Sequence, residues 1–346
     1  MTSPSTDWKE VVAPGEAELF ERLARDLAGV QADAAKKLGG LNRALHAKPN
    51  LAARATFEVL AGLPEHARAG LFSEPKRYEA VVRFSNGSPA HQHDKKPDVR
   101  GMAVKVMGVG GKKLIPGLEH APTQDFLSIL SASQPFRTPE EFVWFVVAAR
   151  SPATLMPKAL FKLGPGPLFS LLGKLRQGLG AKLQPISSNR YYSALPFTVG
   201  RYAAKSSWVP LDAGGSSGAA LDPDLGGGLA RQLAAGPVRW ELQLQFFTDE
   251  KHTPLEDGTV DWEGPWLPVA RLTLQQQDVK GAAGQSLATW AEQLSFDPWH
   301  AQAELRPLGA FMRARNAAYR VSTQARKVLP EPATFPEGAG AATTPA

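Results

Sequence analysis

The spacing of apolar and polar positions changes several times along the chain. Over residues 16–37, Leu19, Phe20, Leu23, Leu27 and Val30 recur at helical spacing with Glu and Arg between them. This predicts an amphipathic helix that ends at Gly39-Gly40. Residues 41–50 read as a loop or short arm. Over 79–85 the period becomes two: Ala80, Val82 and Phe84 alternate with Val81, Arg83 and Ser85, which predicts a strand. Residues 99–107 and 124–130 are further strand candidates. Thr138-Pro139-Glu140-Glu141 has the composition of a helix start, with an N-cap residue, a proline at the first position and acids in the first turn. That helix continues over 142–149.

Residues 151–185 are rich in Leu, Lys and Gly and predict short, broken helices. Strands are expected over 190–211, and the Gly/Ser-rich stretch 214–228 reads as a surface loop. In 238–247, the clearest strand, Trp240, Leu242, Leu244 and Phe246 alternate with polar or smaller neighbours. Asp257-Gly258 is a turn, 266–274 the next strand, and the pattern is helical from Ser286. Residues 331–346 are rich in Pro, Ala, Gly and Thr, as expected of a loose tail. No parallel βαβ alternation and no repeat of solenoid period is present. The order predicts an antiparallel barrel or sandwich with helices packed outside.

Composition narrows the chemistry. With 43% hydrophobic and 21% charged residues among 346, the chain is globular rather than disordered. No apolar run reaches the ~18 residues of a membrane-spanning helix. The first nine residues carry acids and no apolar core, so they are not a signal peptide, and a cytoplasmic location is expected. The chain has no cysteine. That excludes disulfides, thiolate catalysis, Cys-ligated zinc and iron–sulfur clusters. Lys and Arg number 39 against 33 Asp and Glu, a net charge of +6. This modest excess suits a nucleic acid, a membrane surface or an anionic cofactor equally.

Several short motifs lack their context. Gly214-Gly215-Ser216-Ser217-Gly218 fits G-x-S-x-G, but no strand precedes it and no helix is expected after it. Residues 108–112 lack the spacing of a phosphate-binding loop. His91 and His93, beside Asp94, have ligand chemistry but read as a solvated loop.

The most informative segment runs from Arg315 to Arg326. Read as a helix, it places Arg315, Tyr319 and Arg326 within an arc of about 40°. A solvated basic face with a half-buried tyrosine is one reading of this row. The other is a metal site: a phenol is a poor ligand until ionised, and a guanidinium one turn away favours the phenolate, which binds ferric haem. An arginine further along the face can pair with a haem propionate through its fork of donors.

The spacing R-x-x-x-Y-x-x-x-x-x-x-R resembles the proximal haem motif of the catalase family. Three more segments match in order: Arg43-Ala-Leu-His46-Ala47-Lys48 resembles R-x-x-H-A-K, Val82-Arg83-Phe84-Ser85 resembles V-R-F-S, and Arg100-Gly101-Met102-Ala103-Val104-Lys105 resembles R-G-F-A-V-K. The resemblance implies an α+β fold: an antiparallel eight-stranded β-barrel with surrounding helices and a C-terminal haem-ligating helix. It implies a flexible segment 1–14, one haem-binding domain over 15–329 and a loose tail over 330–346. The cofactor would be haem b, with Tyr319 as iron ligand, Arg315 beside it, and Arg43, Arg83 and Arg326 on the propionates. His46 would be the distal acid–base group, hydrogen-bonded by Ser85. Within strand 79–85, Arg83 and Ser85 share a face. They are expected to point inward, where a base and a hydroxyl need partners.

The chain departs from the family in three ways. No Asn lies between Asn86 and Asn189, so the distal Asn is absent and Gln124 is the substitute offered. Pro49 follows His46-Ala47-Lys48 where Gly is usual. Twenty residues follow Arg326, so NADPH binding and an interlocked tetramer are not expected. The likeness is to the short catalase-related peroxidases. It implies an enzyme reducing hydrogen peroxide or organic hydroperoxides with an organic electron donor and having weak or no catalase activity. The alternatives are a fatty-acid hydroperoxide-rearranging enzyme of allene oxide synthase type and a non-catalytic haem-binding protein. No nucleic-acid partner is expected. The basic, leucine-rich stretch is compatible with peripheral contact with an anionic membrane, and a homodimer is compatible with the sequence.

Overall fold

The period-two stretches of sequence form the wall of a barrel. The computed structural model describes residues 3–40, 43–179, 183–212 and 224–337. Its strands are β1 (Pro49–Val59), β2 (Arg77–Asn86), β3 (Arg100–Met107), β4 (Thr123–Ile129), β5 (Tyr191–Tyr192), β6 (Phe197–Val199), β7 (Tyr202–Pro210), β8 (Val238–Phe246) and β9 (Leu267–Leu274). They order as β5-β4-β3-β2-β1-β9-β8-β7, and β5 pairs back onto β7. The result is a closed, antiparallel, eight-stranded barrel, with β6 added beside β7. Closure removes the unpaired edges that an open sheet would expose.

The interior is apolar and aromatic. Phe57, Phe84, Phe126, Trp208 and Trp240 meet inside, with ring centroids 5.9 Å apart for Phe57–Phe126, 6.1 Å for Phe126–Trp208 and 5.8 Å for Phe84–Trp240. Burying each such ring stabilises the fold by roughly 1.5–3 kcal/mol. Strand β1 alternates as well, with Ala53, Ala55, Phe57 and Val59 inside the barrel and Arg54, Thr56 and Glu58 between them, but alanine is a weak strand former and gives the pattern little signal.

The helices are α1 (Glu16–Leu38), α2 (Pro139–Ala148), α3 (Pro152–Leu163), α4 (Pro165–Leu179), α5 (Leu225–Ala235), α6 (Ala282–Gln293) and α7 (Ala310–Arg326). Thr138 caps α2 as its sequence predicts, its hydroxyl accepting from the Glu141 N–H at 3.2 Å. Helix α6 covers the outer face of the wall, where Leu287 and Ala291 pack with Ala52 and Val81. Helices α1, α2 and α7 pack together through Phe20, Leu23, Val143 and Ala317. Among the described residues no helix is long and apolar enough to cross a membrane.

Two expectations are corrected. Arg83 and Ser85 point out of the barrel, because Ala80, Val82 and Phe84 fill its interior. Both remain buried, under the helices. The loop expected over 214–228 gives way to α5 at Leu225; Asp224 caps this helix, and residues 213–223, with the G-x-S-x-G match, lie outside the described residues. Glycine serves close packing there, since a Cβ on Gly226 would meet the Asn50 carbonyl oxygen at 2.1 Å. Residues near both termini make contacts with the barrel and its helices. Trp8 donates to the Arg201 carbonyl at 2.9 Å, and Glu10 pairs with Arg306 and Arg313, each at 2.7 Å. Glu331 is buried against Lys105, and its carboxylate accepts from the Thr123 hydroxyl at 2.6 Å.

Candidate active site

A cavity of about 1630 Å³ lies between the outer face of β2–β4 and helices α1, α2 and α7. It exceeds the roughly 300–1,000 Å³ of an ordinary small-ligand pocket. Seven residues from three separate segments line it: Arg43, His46, Arg83, Ser85, Arg315, Tyr319 and Arg326.

Helix α7 presents its Arg–Tyr–Arg row to this cavity because its alanines face α1. Ala317 is buried against Phe20, Leu23 and Ala24, with Ala314 and Ala318 beside it. Arg315 Nη2 donates to Tyr319 Oη at 3.0 Å. The other arginines of α7 have carboxylates of their own: Arg313 binds Glu10 and Glu16, and Arg320 binds Glu21. Arg315 and Arg326 make no carboxylate pair among the described residues, so the row is not an ordinary solvated face.

On the opposite wall, His46 adopts a left-handed backbone conformation, with φ at 54°. Its N–H donates to the Gly87 carbonyl at 2.9 Å, and its Nδ1 lies 3.1 Å from Ser85 Oγ. The imidazole rests directly on Gly101, where an added Cβ would fall 2.7 Å from the ring. Glycine in the Arg100-Gly101 segment is therefore the residue that makes room for His46. Burial, then the charges of Arg83, Arg315 and Arg43, push the imidazole down to about 3, so it is neutral near pH 7.

The third feature was not read from the sequence. Glu292, at the end of α6, sits between Arg43 and Arg83. Its carboxylate accepts from Arg43 Nη1 at 2.6 Å and from Arg83 Nε at 2.5 Å. Arg83 also donates to the His46 carbonyl oxygen at 3.0 Å, so the charge cluster is tied to the distal backbone. Burial and the Arg83 charge lower Arg43 to about 9 and lower Arg326 as well. Arg326 Nε is buried without a hydrogen-bond partner. No local motif announces Glu292; the only available signal was that three converging guanidiniums need a counter-charge.

These residues fit a dianionic porphyrin. Three guanidiniums against one carboxylate leave two positive charges, and the Arg326 donor without a partner has capacity for an acceptor. Tyr319 offers an oxygen ligand with a guanidinium beside it.

No protein-family model matches this sequence, and no curated protein sequence matches it. Solved structures do. Catalase A from Saccharomyces cerevisiae aligns with a TM-score of 0.62 at 19% identity, covering 83% of this chain and 61% of that one. A fungal catalase gives 0.62 at 19%, covering 83% and 60%. A bacterial catalase gives 0.61 at 14%, covering 100% and 66%. The fold is catalase-like. The chain spans under two thirds of the length of these three catalases.

Within this catalase-like frame, Gln124 is not brought to the site. It shares the barrel-interior face of β4 with Phe126, is buried, and accepts from the Gln302 N–H at 2.9 Å. The cavity wall after β4 is instead formed by Leu130 and Ser131. The alternation of β4 sends Gln124 inward together with Phe126, away from the cavity. His91 and His93 are exposed, and Asp94 is engaged by Lys48 at 2.6 Å and Asn86 at 2.7 Å. Asp125, His300 and Glu331 gather within metal-binding distance. The Lys105 ammonium already fills the cation position, 2.8 Å from Asp125 and paired with Glu331.

Proposed function

We propose that this protein is a haem-dependent peroxidase acting on hydrogen peroxide or organic hydroperoxides, with little catalase activity. The observation that carries this reading is the convergence of Tyr319–Arg315, neutral His46 and three arginines on one cavity. Tyr319 Oη would be the iron ligand, and Arg43, Arg83 and Arg326 would hold the propionates of haem b. Haem b, when bound, supplies a redox-active iron at which a peroxide O–O bond is split. The chain's own residues supply the rest. The Arg315 guanidinium sets a positive charge beside the oxygen that carries a negative one as a ligand. His46, in the tautomer whose Nδ1–H donates to Ser85, keeps a free lone pair on Nε2. Nε2 takes the proton from the inner peroxide oxygen and returns it to the departing outer oxygen, which leaves as water or an alcohol. An organic donor would then supply two electrons and two protons, with which the inner oxygen leaves as water and the resting enzyme returns.

The apolar wall of Leu23, Leu27, Phe142, Val143 and Phe145 favours organic hydroperoxides. It equally favours a rearranging enzyme, which would yield isomerised fatty acid without consuming a donor. Haem titration followed by absorbance spectroscopy tests the reading, with oxygen release, dye oxidation and lipid products measured in parallel. Wild-type protein should bind one haem with a phenolate-ligated ferric spectrum, and Tyr319→Phe should lose that spectrum. An unchanged spectrum and haem content in Tyr319→Phe would overturn the ligand assignment. Oxygen release without dye oxidation would overturn the peroxidase assignment.

A further inference from the structure

Eight large apolar side chains stand out into solvent among the described residues, and four of them belong to α3 and α4: Met156, Leu160, Phe161 and Phe169. Phe161 is 95% exposed and Phe169 74%. On α3, Ala159 is buried, with half-buried Leu155 and Leu163 one turn to either side, so their shared face packs on the protein. Phe161 lies about 160° around the helix from Ala159, at its outermost line. Exposed Lys158 and Lys162 flank it on one side, and Met156 and Leu160 on the other. Across residues 142–211 the sequence has nine Lys or Arg and no Asp or Glu. The face of α3 is aromatic at its crest and basic at its flank; the nearby Arg150 is already paired with Asp33 at the cavity edge.

We propose that α3 and α4 seat this protein on an anionic lipid bilayer. Phe161 and Phe169 enter the headgroup region, and Lys158 and Lys162 meet lipid phosphates. Charge selects this occupant. A second copy of the chain would set the same lysines against one another, whereas an anionic membrane complements them and accepts bare aromatic rings. The placement also has a use. Exposed Lys37, Leu38, Arg150 and Ser151 form one edge of the cavity mouth, and Ser151 directly precedes α3. Docking would bring that edge to the membrane surface. The inference does not depend on the proposed chemistry, since docking needs no cofactor.

Sedimentation with vesicles of phosphatidylcholine alone, and of phosphatidylcholine mixed with phosphatidylserine, tests it on the full chain. Wild-type protein should pellet only with the anionic vesicles and should be released as salt is raised. Lys158→Gln combined with Lys162→Gln should weaken partitioning by about 25-fold, at about fivefold for each charge. Phe161→Ser and Phe169→Ser should each cost about tenfold or more. These side chains are exposed, so unfolding curves of the variants should match wild type and separate lost docking from lost folding. The proposal fails if wild-type protein stays in solution with both vesicles, binds neutral vesicles as well as anionic ones, or docks equally well in all variants. It also fails if wild-type protein is a dimer that Phe161→Ser dissociates, since a second copy would then cover the patch.

Discussion

The inside and the outside of one barrel wall obey different rules. On β2, Ala80, Val82 and Phe84 face a dry interior where aromatic rings pack against each other. One residue along, Arg83 and Ser85 face outward to a cavity, a neutral histidine and a cluster of guanidiniums. The interior holds the strands in place. The outer face is costly: burial, and after it the Arg83 charge, lowers both Arg43 and Arg326, and His46 sits at a positive φ. Such strain persists only where the surrounding structure over-determines it. Packing and the proposed chemistry are thus divided between the two faces of the same strands.

The largest expected break in this division is His46→Ala. It should slow peroxide cleavage by roughly 10²–10⁴-fold while leaving the barrel intact. Stopped-flow mixing of the haem-loaded variant with peroxide measures this, and a wild-type rate would remove His46 from the chemistry. Phe84→Ala acts on the other face. It should cost roughly 3–5 kcal/mol of stability, read from urea unfolding, while the rate per bound haem stays close to wild type. A large rate loss with unchanged stability would show that the two faces are not separate.

Acid sharpens the same contrast. Burial, Arg83, Arg315 and Arg43 hold His46 at about 3 in the folded protein, against an ordinary value near ~6.5. Between these values the unfolded chain binds the extra proton, so stability falls as pH drops from about 6.5 toward about 3. His46→Ala should flatten that part of a stability–pH profile by an amount on the order of a few kcal/mol. Identical slopes for the two proteins between about pH 6.5 and 4.5 would mean that His46 is not held neutral. The smallest effect belongs to Ser85→Ala, which removes the partner 3.1 Å from His46 Nδ1. A loss of about 1 kcal/mol in orientation corresponds to roughly fivefold in rate, with unfolding nearly unchanged; a loss as large as that of His46→Ala would give Ser85 a more direct part.

Local signals were read well. The alternation in β2, the cap of α2 and the row on α7 all emerged where residue spacing predicted them. Failures came where the decisive partner was remote. β1 starts on alanines, Ala53 and Ala55, whose place in the interior is set by the rest of the barrel, and α5 contains Gly226, needed only because Asn50 approaches it. Gln124 has a suitable side chain on the wrong face of β4.

The sequence by itself determined which residues share a strand face and which share a helix face, because those relations are periodic and span a few positions. It thereby determined that Arg315, Tyr319 and Arg326 lie in one row. Only the tertiary structure decided that β2 turns Arg83 outward, that Gly101 receives the His46 ring, and that Glu292 sits between Arg43 and Arg83. Glu292 and Arg43 are 249 positions apart. Contacts at such separations are set by barrel closure and helix packing, and no local spacing in the chain encodes them.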